Sequence, residues 1–285
     1  MNVFKYSKDN KRYHTLAFEG RVYKACLNVG LPCPTYCDFC SEQSKLFTTS
    51  GTVTEQLQKE KDRIFAKYGE VPLCAYFQSG TNTNAPVDKL RALYDEAMSF
   101  PGVTSLSIAT RFDCLPDEVI DLLEEYGATV EIGLQTIHRD DYDLFLDRYS
   151  ELKRRGIKVC LHLMDGLPGE TEEMMIDTAK AVGKLEPDAL KIHLTYVVKD
   201  TPLCDMYERG EYTPLTFEEY TSIVVRQLEY IPAKTVIERL TGDGDKRTLV
   251  APLWSTDKIR VLGTIDKLLA DLDFWQGKLY NLNER

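Results

Sequence analysis

The sequence predicts an α/β protein built as a partial (β/α)6 TIM-like barrel with a small C-terminal extension. Three observations point there. Short apolar runs alternate with amphipathic helical stretches, the pattern of a parallel sheet with helical crossovers. Six such units fall before residue 230, too few for a closed eightfold barrel, which usually takes about 250 residues. Polar and unusual residues collect just after each apolar run, where parallel α/β sheets place binding groups.

The elements follow in order. Residues 1–21 form an N-terminal segment with Lys5, Lys8, Lys11 and Arg12 and no clear period. Val22 to Leu27 reads as the first strand, followed by a loop rich in Cys and Pro. Thr54 to Tyr68 has helical spacing, with Gly69 as its stop. Val71 to Phe77 is the second strand, and Pro86 opens a helix to about Ser99, proline being suited to a first turn. Val103 to Ala109 is the third strand, and Pro116 opens the next helix. Thr129 to Leu134 is the fourth strand, with a helix from Asp141 to Arg155 ended by Gly156. Ile157 to Met164 and the helix Glu170 to Leu185 follow. Ala189 to Val198 is the sixth strand and Phe217 to Tyr230 a helix. The expected division is a barrel over 22–230 and an extension over 231–285, where the alternation weakens.

Composition narrows the function classes. The 285 residues are 43% hydrophobic, which excludes a disordered chain. Thirty-five Lys and Arg face 45 Asp and Glu, a net charge of −10, which argues against unspecific binding to nucleic acid or an anionic membrane. A local basic face remains open, with Lys153, Arg154, Arg155 and Lys158 as a candidate patch or simply a solvated helix end. No apolar run approaches the roughly 20 residues of a membrane span. The start, Met1 to Asn10, lacks a signal peptide's apolar stretch. The expectation is a cytoplasmic, reducing setting and no membrane partner. There the eight cysteines are thiols or metal ligands rather than disulfides.

Cys33, Cys37 and Cys40 are the strongest signal. Three thiolates in one tight loop select zinc or an iron–sulfur cluster. Structural zinc wants four closed ligands. No fourth Cys or His lies just downstream, and the nearest other cysteine, Cys26, is inside a predicted strand. Three ligands on a 4Fe-4S cluster leave one iron open for a cofactor or substrate.

With Phe39 before the last cysteine, this spacing resembles the radical S-adenosylmethionine (SAM) enzymes. The likeness narrows further along the chain. Arg12 to Leu16, Ala75 to Thr83, Thr110 to Pro116, Gly133 to His138, Gly166 to Thr171, Lys191 to His193, Val198-Lys199 and Arg239 to Asp243 resemble the YhcC/YtqA-like radical SAM family. That family is related in organisation to the Elp3 enzymes and to oxygen-independent coproporphyrinogen oxidases. The sequence departs from the pattern in three places. Only three residues separate Cys33 from Cys37, an Asn-Arg-Gly-His segment expected after His138 is absent, and the stretch after Leu16 is short.

The resemblance implies a 4Fe-4S cluster on Cys33, Cys37 and Cys40, with the amino and carboxylate groups of SAM on the open iron. Phe39 and the turn Gln78-Ser79-Gly80-Thr81 fall where the family grips SAM, and Gly80 lets backbone approach closely. Arg111 suits a carboxylate, and Asp113 a ribose or Arg111 itself. Gln135 suits the ribose or the methionine part. Gly166 and Leu167 open a turn whose N–H groups face the cofactor. Each has a plainer reading, as a βα turn, a surface ion pair or a polar strand end. His162 and His193 are equally core residues or substrate contacts. Lys199 is a solvated head or a catalyst. Cys74, Cys114, Cys160 and Cys204 are packing residues.

The implied reaction is reductive cleavage of SAM to a 5′-deoxyadenosyl radical, with the electron from an external flavodoxin- or ferredoxin-type donor. The implied substrate is tRNA, at the 5-carboxymethylaminomethyl side chain of the wobble uridine. The alternatives are a small molecule such as a porphyrin precursor, or a non-catalytic metal-binding module.

Overall fold

A computed structural model describes residues 22–35, 37–40, 51–242, 244 and 246–280, and the backbone of 4–7 and 10–15. Two N-terminal strands, β1 (Phe4–Ser7) and β2 (Asn10–Thr15), precede the barrel. The barrel strands are β3 (Tyr23–Leu27), β4 (Leu73–Phe77), β5 (Val103–Thr110), β6 (Thr129–Gln135), β7 (Val159–Asp165) and β8 (Ala189–Leu194). The intervening helices are α1 (Val53–Tyr68), α2 (Val87–Met98), α3 (Asp117–Glu125), α4 (Tyr142–Arg154) and α5 (Glu172–Leu185). Then come β9 (Val197–Val198), α6 (Pro202–Glu208), α7 (Phe217–Tyr230), β10 (Val236–Arg239), β11 (Leu249–Ala251) and α8 (Lys258–Asp271).

The sheet runs β2-β1-β10-β8-β7-β6-β5-β4-β3. From β3 to β10 every pairing is parallel, so seven strands make a curled half-barrel. The expected partial barrel is present, with two differences. The seventh strand, β10, comes from beyond residue 231 and was not expected as barrel. The expected sixth strand stops at Leu194, and the bond from Thr195 N–H to the Asp165 carbonyl is the last of its ladder with β7. Its remainder is β9, which pairs antiparallel with β11.

The strands alternate with period two, and this shapes the interior. Ala25, Phe77, Leu106, Ile108, Val130, Ile132, Leu161, Leu190, Ile192 and Ile237 are buried in the apolar core. At about 25 cal/mol per Å² of apolar area removed from water, this is the main stabilising layer. The alternate positions are Lys24 and Cys26, Tyr76, Ser107, Glu131, His162, Lys191, His193 and Glu238. They line the concave side of the half-barrel, which is therefore polar.

Helix starts follow their sequences. Thr52 and Thr216 form capping boxes with Glu55 and Glu219 at α1 and α7. Thr171 and Thr201 cap α5 and α6 through their side chains.

Candidate active site

The cysteine loop is fastened to the neighbouring strand end by backbone. Gln78 N–H donates to the Leu27 carbonyl at 3.1 Å, and Thr81 N–H to the Leu31 carbonyl at 3.3 Å. The Asn84 amide donates to the Pro32 carbonyl at 2.9 Å. Gly80 has φ +78°, and a Cβ there would lie 2.1 Å from the Leu31 carbonyl oxygen. Only glycine permits that approach. The close approach at this turn is to the Leu31 carbonyl at the root of the cysteine loop.

The loop's thiols then meet polar neighbours. The Thr81 hydroxyl lies 3.1 Å from Cys33 Sγ. Cys40 N–H donates to the Cys37 carbonyl at 2.9 Å. Arg111 Nη1 lies 4.0 Å from Cys37 Sγ, while Nε and Nη2 fork onto Asp113 at 2.8 and 2.7 Å. A hydrogen bond from Cys40 outweighs burial and, with Arg111 and Arg139, pulls the Cys37 thiol down to about 6. A thiolate at neutral pH is the form that ligates soft metal. The Asp38 carbonyl accepts from Leu203 N–H at 3.0 Å, and Phe39 packs against the buried cluster of Val197, Leu203, Cys204, Tyr212 and Ala251. The aromatic residue thus ties the loop to α6 and the β9–β11 pair.

The other expected site residues sit at neighbouring strand ends. Gln135 ends β6 at φ +68°, an uncommon conformation for a side chain larger than glycine. Its amide lies over Gly133, where a Cβ would come 2.6 Å from Nε2. Gly166 and Leu167 follow β7, but their N–H groups do not face a cofactor as expected: they donate to Met175 Sδ of α5 at 3.2 Å and to the Glu170 carboxylate at 3.3 Å. Tyr212 donates to the Gly166 carbonyl at 2.7 Å. Ser79 and Gln78 line a cavity of about 350 Å³ with Asn28, Tyr76, His162 and His193.

Below that cavity lies a charge cluster whose lysines and glutamates were not expected in the site from sequence. Glu131, fully buried, receives the ammonium groups of Lys24 and Lys191, the Ser107 hydroxyl at 2.6 Å and His162 Nε2 at 2.8 Å. Lys24 also reaches Glu238 at 2.9 Å. Burial opposes the Glu131 charge, but His162 and both lysines hold its carboxyl well below the usual range. Glu131, Cys160 and His162 are close enough together to share a metal ion. Two ammonium groups already on Glu131 oppose a further cation there. The overlooked signal was charge within apolar runs: Lys24, Glu131 and Lys191 each interrupt a predicted strand.

His162 and His193 lie on the concave side, their ring centroids 5.4 Å apart. Cys74, Cys160 and Cys204 are buried, as expected of packing residues; Cys114 is half-buried. Lys153, Arg154 and Arg155 pair with Asp188, Glu151 and Asp121 respectively, and they close α4 just before β7 starts. That is a solvated helix end at the opposite edge of the sheet from the cysteine loop, and not a free phosphate patch. The N-terminal basic side chains lie outside the described residues. Among the described residues no helix is long and apolar enough to cross a membrane.

The Radical SAM superfamily is matched over residues 27–182 and the Radical_SAM C-terminal domain over 187–271. YtqA of Bacillus subtilis (strain 168) is 38% identical over 98% of this chain and 96% of its own length. The tRNA uridine(34) acetyltransferase of Methanocaldococcus jannaschii is 32% identical over 49% of this chain, which spans 28% of that enzyme. The solved structure of Elp3 from Methanocaldococcus infernus, lacking residues 1–46 of its N-terminus, superposes with a TM-score of 0.73 at 19% identity. It covers 91% of this chain and 67% of the Elp3 chain.

Proposed function

The chain belongs to the radical SAM superfamily, and we propose that, as an enzyme of that family, it modifies the wobble uridine of tRNA, removing the carboxymethyl part of a 5-carboxymethylaminomethyl side chain. The family uses a 4Fe-4S cluster and SAM and needs an external reductant. The residues fit that cofactor pair. Cys33, Cys37 and Cys40 are three soft donors in one loop, one of them favouring thiolate. When bound, the pair supplies hydrogen abstraction from an unactivated carbon.

The chain's own residues would do the rest. Thr81 and Arg111 set the polarity around Cys33 and Cys37. The Gly80 turn, Gln78 and Ser79 offer backbone and side-chain groups to SAM, with Arg111, Asp113 and Gln135 on the next strands. Phe39 orients the loop, and Gly166 and Leu167 hold the turn after β7. The polar concave side positions a substrate carbon and excludes bulk water. A flavodoxin- or ferredoxin-type protein is the proposed electron donor.

The observation that carries the tRNA reading is the 32% identity, over 49% of this chain, to a tRNA uridine(34) acetyltransferase. The test is direct. Reconstituted enzyme, SAM and a chemical reductant are mixed with tRNA bearing 5-carboxymethylaminomethyluridine. The modified nucleoside should fall as 5′-deoxyadenosine rises. If 5′-deoxyadenosine forms while the nucleosides stay unchanged, tRNA is not the substrate and a small molecule takes its place.

A further inference from the structure

Among the described residues, the concave side of the half-barrel holds one arginine without a carboxylate partner. Lys24 and Lys191 are matched by Glu131 and Glu238. Arg239, at the end of β10, is different. Its guanidinium has no carboxylate partner among the described residues, yet it lines the 350 Å³ cavity with His162, His193 and Lys191. Beside it, His193 Nε2 is sealed from solvent and has no hydrogen-bond partner. Burial, His162 and Arg239 hold that imidazole neutral. A polar nitrogen sealed from solvent without a partner is costly, and a half-buried guanidinium lies beside it. Such a pair is a recognition element waiting for an acceptor.

The register explains how the two meet. Arg239 is the Cα partner of Lys191, and Lys191 is the partner of His162. The register shift between Ile237 and Arg239 lets Glu238 and Arg239 both serve the concave side. Gln78 and Ser79, from the turn bolted to the cysteine loop, close the cavity on the other flank. The site is therefore contiguous with the proposed SAM-binding edge but distinct from Arg111.

We propose that Arg239 and His193 bind a carboxylate of the substrate. The donor geometry favours this class: the planar guanidinium fork of Arg239 matches the two oxygens of a carboxylate. Arg239 supplies the charge-assisted donor and His193 Nε2–H the second donor. The proposal rests on the radical SAM reading and gives a reason why a side chain ending in a carboxymethyl group would be drawn into the barrel.

The test separates the site from the tRNA reading. The first probe is N-methylglycine, with dimethylamine as the analogue lacking the carboxylate, applied to SAM-loaded holoenzyme. Ligand-observed saturation-transfer NMR should show saturable binding of N-methylglycine only. Arg239→Met should weaken it by at least about tenfold, the loss of one charge-assisted hydrogen bond, while Arg239→Lys restores part of it. SAM affinity should stay unchanged in both variants. Equal binding in Arg239→Met, or no saturable binding to wild type, overturns the site. Displacement by tenfold less inorganic phosphate assigns it to a phosphate and overturns the carboxylate class. A matching loss of SAM affinity assigns Arg239 to SAM and does the same. The second probe is an anticodon stem-loop with or without the carboxymethyl group. Preference for the carboxylated form, lost in Arg239→Met, joins the site to tRNA; if neither stem-loop binds while N-methylglycine does, only the tRNA reading fails.

Discussion

At the scale of single residues, the three loop cysteines and the arginine beside them have separable roles. Cys33→Ala, Cys37→Ala and Cys40→Ala should each lose cluster iron after anaerobic reconstitution, read by iron and sulfide content and by the brown absorbance. Normal content in all three variants would remove the ligand assignment. Arg111→Ala and Gln135→Ala should keep the cluster and weaken SAM about tenfold to a hundredfold, since a hydrogen bond to a charged group contributes roughly 1.5–3 kcal/mol. Equilibrium binding of SAM to the reconstituted variants checks this. Unchanged affinity would leave Arg111 as an ion pair for Asp113 alone. The sequence revealed the cysteines because three soft ligands at close spacing have few other uses. It concealed Lys24, Glu131, Lys191 and Arg239, because one charge in an apolar strand is informative only once its partners on other strands are known.

At the scale of elements, two turns at the strand ends carry specific expectations. Gly80→Ala would place a methyl group 2.1 Å from the Leu31 carbonyl oxygen in a left-handed conformation. Strain of about 1–3 kcal/mol should lower Tm by at least about 3 °C and reduce cluster loading. A variant with wild-type Tm and iron content would show that the two loops are not locked together. At the end of β7, Asp165 is fully buried. Burial pushes its carboxyl up to about 8, against the opposing hydrogen bond from Gln227 at 2.7 Å. The folded protein thus holds a proton that the unfolded chain releases near pH 4. Stability should fall as pH rises from about 4 to about 8, by at most about 1.4 kcal/mol per pH unit from this group. Asp165→Asn should flatten that slope, measured by urea unfolding across the range. An unchanged slope would mean that Asp165 is ionised in the fold.

At the scale of the whole molecule, the alternation of short strands and helices made the half-barrel legible, and the boundaries of the expected helices fell within a residue or two, while α6 and α8 were not expected. Residues beyond 231 were less so. β10 is four residues long and joins the sheet only through β8 and β1, a non-local pairing that no local periodicity announces. Yet β10 completes the concave side, supplying Glu238 and Arg239. The polar interior was half visible. Period-two alternation in β6 and β8 was present in the sequence, but runs that also contain Val, Ile and Leu read as strands buried on both faces. A net charge of −10 also bears on the substrate. Any tRNA contact must be local, and Lys153 to Arg155 are held in ion pairs on the far edge of the sheet. Lys5, Lys8, Lys11 and Arg12 remain. Their charge-neutral replacement should flatten the log–log salt dependence of tRNA binding by about 0.7–0.9 for each phosphate they no longer neutralise, without changing SAM cleavage. An unchanged slope would exclude the N-terminal segment from the tRNA interface.

The most direct measurement of the central claim is modified-nucleoside mass spectrometry of total tRNA from cells with and without this gene. Loss of the gene should make 5-carboxymethylaminomethyluridine accumulate at the wobble position and deplete the nucleosides derived from its aminomethyl form. A gene copy carrying Cys37→Ala should fail to restore the profile, and the wild-type copy should restore it. An identical wobble-uridine profile in both strains would contradict the proposed substrate.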